Sequence, residues 1–108
     1  MAYRYPLELR VMAAQLAGGV SHIAGKDSND LLLIDEAWFH RDYGFVTGMA
    51  AGLQTAFGLD VTTLILLQKD LWQAILYKDW PRAIKLFQAI RLWADAVANE
   101  TIHPEVLK

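Results

Sequence analysis

Apolar positions recur at helical spacing along most of this chain. In residues 6–24, Leu9, Met12, Leu16 and Val20 share one face, with Val11 and Ile23 beside it. That spacing predicts a first helix, with Pro6 at its first turn where a missing N–H is tolerated. Gly18 and Gly19 weaken its centre and predict either a break or a close neighbour. Residues 25–30 (GKDSND) form a loop, because Asp, Asn and Ser side chains bond nearby backbone. Residues 31–34 (LLLI) are read as an apolar lead-in to a second helix. Asp35 suits its N-cap, and Gly58 suits the left-handed position that follows its last residue, Phe57. Within it, Trp38, Phe45, Met49 and Leu53 form a face of large residues.

Asp60 is the expected N-cap of a third helix reaching Tyr77. Leu64, Leu67, Leu71 and Ile75 mark its inward face, widened by Val61, Ile65, Trp72 and Leu76. Lys78 and Asp79 make a tight turn, Asp79 caps a fourth helix, and Pro81 falls in its first turn. Ile84, Phe87, Ile90, Trp93 and Val97 face inward there, and Lys85, Gln88, Arg91 and Asp95 outward, up to Asn99. The expected fold is therefore all-α: one domain spanning 1–108, a compact bundle of four main helices. The short connection makes the third and fourth an antiparallel pair. Residues 1–5 form an N-terminal arm and residues 100–108 a frayed tail.

Beside the large face of the second helix runs a stripe of small residues four apart: Gly44, Gly48, Gly52 and Ala56. Each glycine inside a helix costs about 0.8–1 kcal/mol relative to alanine. Such a stripe predicts another backbone packed close against it. Composition points the same way. Counted with Gly and without Tyr, apolar residues make up about 57% of the chain, against a typical 45–50%. A monomer of 108 residues has only a modest interior, so the excess predicts a homo-oligomer, with a dimer favoured, or a bound partner. Aromatic and Arg residues are enriched at interfaces. Trp38, Phe39, Arg41 and Tyr43 are therefore interface candidates with the small stripe, as are Tyr3 and Tyr5 on the arm.

The net charge of −2 is uneven: residues 27–60 carry six acids and one base, residues 61–92 five bases and two acids. The two segments face each other within the fold or across an interface. No basic stripe suggests nucleic acid as a partner. No segment reaches the ~20 apolar residues of a membrane span. The chain has no cysteine, and residues 1–10 do not read as a signal peptide. A cytoplasmic location is expected.

Candidate chemistry is thin. Gly19 to Ser28 loosely suggests a phosphate loop, but Asp27 stands where a magnesium-binding hydroxyl belongs. Glu36 and His40 share a helical face near Asp35 and Asp42. Helical metal sites draw on Glu-x-x-His pairs, of which there is none, so no metal or cofactor is expected. Adjacent Ser21 and His22 do not orient a nucleophile toward a base. Residues 80–90 faintly resemble one helix of a tetratricopeptide repeat, without the second copy that stacking requires. The expected function is regulatory: an interaction protein that sterically occupies a surface of a larger protein. Its format resembles that of small all-α antiactivators and phage-encoded inhibitors. The alternatives are a ligand binder or enzyme with an inter-helix pocket near His22, Trp38 and His40, and a structural assembly subunit.

Overall fold

The computed structural model describes residues 2–26 and 35–102. Their order is β1 (Ala2–Tyr3), α1 (Leu7–Ala24), α2 (Glu36–Phe57), α3 (Thr62–Leu76), α4 (Trp80–Asn99) and β2 (Thr101–Ile102). The loop at 27–30, the apolar lead-in at 31–34 and the tail at 103–108 lie outside the described residues.

Helix boundaries follow from local chemistry. The Asp35 carboxylate accepts from the Ala37 N–H at 2.9 Å and opens α2. Gly58 closes it with φ 65°. Its N–H bonds to Gln54 O at 2.8 Å and that of Leu59 to Leu53 O at 3.4 Å, which satisfies carbonyls left orphaned at the helix end. Asp60 accepts from both the amide (3.0 Å) and hydroxyl (2.6 Å) of Thr62. These bonds, the hydroxyl's first, hold its carboxyl below the usual aspartate range. After α3, Lys78 takes φ 54°, a left-handed position normally given to glycine. The Asp79 N–H reaches back to Ala74 O at 2.8 Å there. The Asp79 side chain then accepts from the Arg82 N–H at 3.4 Å and starts α4.

The core gathers one stripe from each helix. It contains Leu9, Leu16, Val20 and Ile23 of α1, Phe39, Val46 and Leu53 of α2, Leu64 and Leu71 of α3, and Phe87 and Ile90 of α4. On α2 the buried stripe is therefore Phe39, Val46, Ala50 and Leu53, turned about one residue from the large face expected from sequence. Trp38 and Met49 are only half-buried, and Phe45 is exposed. The reason is the fit with α1. Phe45 lies where a side chain on Gly19 would have to be, and Met12 lies where one on Gly52 would be. Each helix thus receives a large side chain of the other over a glycine. Gly19 does not break α1.

α3 and α4 pack together, and α1 packs most extensively against α4. The two ends of the described chain are also tied. β1 and β2 pair antiparallel, Ala2 opposite Ile102 and Tyr3 opposite Thr101. Arg4 adds a backbone bond to Glu100 O at 2.9 Å and a 2.7 Å ion pair to its carboxylate. Arg10 donates to Ala98 O at 3.0 Å, and its guanidinium lies 3.2 Å over the Tyr3 ring. The arm thus pairs with its own chain, and the start of the tail expected to fray from residue 100 is held in this pairing. Two-residue strands carry no hydrophobic period by which sequence reveals them.

Candidate interaction face

α2 presents its core stripe inward and a charge-free small face outward. Gly44 and Gly48 are exposed, and a Cβ built on either meets no neighbouring atom of the described residues within 4 Å. Ala51 and Ala56 are exposed as well. The stripe expected from sequence is thus divided: Gly52 is used inside the chain by Met12, while Gly44, Gly48 and Ala56 are open.

The cluster from Trp38 to Tyr43 is divided too. Phe39 is 1% exposed, its ring 4.6 Å from Trp80 and 6.3 Å from Phe87. It belongs to the core and not to an interface, which corrects the expectation for that residue. Trp38 is half-buried with its ring 4.7 Å from His22. Tyr43 lies 5.0 Å from Trp72, and His40 6.3 Å from the same indole. Arg41 is exposed and donates from Nε to Asp42 Oδ1 at 3.1 Å. Tyr3 is exposed on the β1–β2 clasp, and Tyr5 packs partly against the core. The arm therefore folds onto its own chain.

Beside the small face, α2 and α3 leave a groove of about 210 Å³ lined by Thr47, Ala51, Gln54, Ile65 and Gln68 among others. Its polar floor is internally bonded. Gln68 Nε2 donates to Thr47 Oγ1 at 3.0 Å, and Thr47 Oγ1 donates to Tyr43 O at 3.0 Å. On α3, Ile65 (37%), Trp72 (38%) and Leu76 (59%), expected from sequence at the edge of the inward face, are exposed; of the three, Ile65 lines the groove and Trp72 packs on Tyr43. Thr47 and Gln68 carry no signal in the sequence, since their bond joins two helices.

A second cavity, about 310 Å³, sits at the C-terminal end of α2, between the start of α1 and the α2–α3 turn. Tyr5, Leu9, Phe57 and Leu59 give it apolar walls, with Arg4 and Asp60 at its edge. Elsewhere, Asp42 stands out: its side chain is 5% exposed, and Oδ2 has no hydrogen-bond partner among the described residues. Glu36 lies 3.9 Å from Lys78. No three His, Asp or Glu side chains gather as a metal site among the described residues. No helix among them is long and apolar enough to cross a membrane. No protein-family model, curated protein or solved structure matches this chain.

Proposed function

We propose that this protein is a cytoplasmic, homodimeric interaction protein that regulates a larger protein by sterically occupying one of its surfaces. The observation that supports this reading best is the open pair Gly44 and Gly48. Both lie mid-helix with no atom near the position a side chain would fill. Together they cost α2 roughly 1.6–2 kcal/mol of helix propensity, and nothing within the described chain uses the space. A second helix brought close to that face would. Ile65, exposed in the groove beside Ala51, adds apolar surface next to it.

The test separates folding from association. Gly48→Ala is expected to raise monomer stability by about 0.8–1 kcal/mol in urea. Gly48→Leu is expected to stay folded, because the site is open, but to lower the absolute mass measured by light scattering across a dilution series. A wild-type protein that is monomeric at every concentration sinks the dimer. A Gly48→Leu protein that assembles like wild type removes this face from it.

The cavity beside Arg4 and Asp60 favours a second reading, a small-ligand binder, because its opposite charges do not pair with each other across apolar walls. A small molecule recovered from protein denatured after purification, and lost in Phe57→Ala, would support it.

A further inference from the structure

We propose that the cavity at the C-terminal end of α2 binds a small organic cation, an apolar ring carrying a short protonated amine. This rests on the small-ligand reading and names the chemistry of the ligand. Size comes first. At about 310 Å³ the cavity is roughly twice the ~150 Å³ that takes up a benzene ring. Leu9 of α1 and Leu59 of the α2–α3 turn line it and are buried, and the half-buried rings of Tyr5 and Phe57 complete its apolar walls. Walls of this kind hold the body of a ligand, and a few polar groups select its head.

Charge selects that head. Two positive features border the cavity, and each has an answer. Arg4 pairs with Glu100 at 2.7 Å. The start of α1, where unpaired N–H groups carry partial positive charge, has Glu8 in its first turn. The two negative features are left over. α2 ends on the cavity with no basic residue in its last turn. The carbonyls of Thr55, Ala56 and Phe57, which carry the partial negative charge of that end, accept no backbone hydrogen bond among the described residues. Asp60 commits Oδ1 to the amide and hydroxyl of Thr62 at the start of α3. Its Oδ2 has no hydrogen-bond or ion-pair partner among the described residues.

The unanswered charge of the cavity is therefore negative. An ammonium at its edge meets Asp60 and the end of α2, and the faces of the Tyr5 and Phe57 rings attract a cation as well. A carboxylate at the same place would face Asp60 and compete with Glu100 for Arg4.

The probes are phenethylamine, phenethyl alcohol and hydrocinnamate, which share a ring and differ in the charge of the arm. Binding is read by NMR on the isotope-labelled full chain, following the amides of Tyr5, Leu9, Phe57, Gly58 and Asp60. The amine is expected to shift these signals with a Kd of roughly 1 mM. It should bind about threefold to fivefold more tightly than the alcohol, with the carboxylate weakest. Raising salt to about 0.5 M should narrow that gap. Asp60→Asn keeps an acceptor for Thr62 and removes the charge, so the variant should bind amine and alcohol about equally. The proposal is overturned if the amine leaves these amides unmoved at roughly 10 mM, if the carboxylate binds as tightly as the amine, or if Asp60→Asn keeps the preference for the amine. The small-ligand reading is separable: it stands if the alcohol or the carboxylate fills the cavity with no preference for the amine, and it falls with the proposal if no probe moves these amides.

Discussion

Asp42 is the residue whose environment departs furthest from its chemistry. An ionised carboxylate inside a protein is stable only when paired and fully hydrogen-bonded. Among the described residues its one partner is Arg41 Nε at 3.1 Å, on a side chain 64% exposed, and Oδ2 has none. Most of the attraction is therefore screened by water on the Arg41 side, while the desolvation falls on Asp42. Asp42→Asn keeps an acceptor for Arg41 and removes the buried charge. The expected outcome is a gain of about 1 kcal/mol in urea denaturation. A loss of that size would mean that the folded protein supplies Oδ2 with a partner of its own.

At the scale of elements, two neighbouring glycines make a sharper test of packing than any deletion in the core. Gly18 faces open space, while the position above Gly19 is filled by the Phe45 ring. Gly18→Ala should stabilise by about 0.8–1 kcal/mol through helix propensity. Gly19→Ala should destabilise by about 1 kcal/mol, because Phe45 must leave its seat. Equal effects in thermal unfolding would show that α1 and α2 do not interlock there. The same contact explains what sequence could and could not reveal. The caps were legible because Asp35, Gly58 and Asp79 act on adjacent backbone. The inward face of α2 was not. Side-chain size pointed to Trp38, Phe45 and Met49, but Phe45 fills a space that glycine opens on α1. The spacing marked Gly44, Gly48 and Gly52 alike and could not show that Met12 fills only the space over Gly52. The groove beside them was not legible, since it depends on Gln68 meeting Thr47 across two helices.

For the molecule as a whole, the radius of gyration is 15.0 Å, against about 13 Å for a compact domain of this length. Its shortest extent, 19 Å, is about two helix diameters. A bundle two helices deep leaves every helix a face on the outside, in keeping with apolar side chains at the surface. The β1–β2 clasp joins the ends of this slab. Arg4→Ala alone should cost little, since its ion pair with Glu100 is exposed and screened by water. Removing residues 1–5 also takes away the strand pairing and the Tyr3–Arg10 stack, and should cost about 1–3 kcal/mol. Urea titrations of both variants check the difference. Equal losses would assign the whole clasp to one ion pair.

That clasp also has a place in time. Ala2 and Ile102 are paired across nearly the whole chain, and closing a loop of that length from an unfolded state costs roughly 4 kcal/mol in entropy. Two short strands do not repay that by themselves. They can close only after α1 and α4 have docked and brought their flanking residues together. The clasp is then absent from the folding transition state. Weakening it should leave the refolding rate in a stopped-flow chevron unchanged and raise the unfolding rate by the full loss in stability. In this protein the two ends would set how long the native state lasts, and have no part in how quickly it forms.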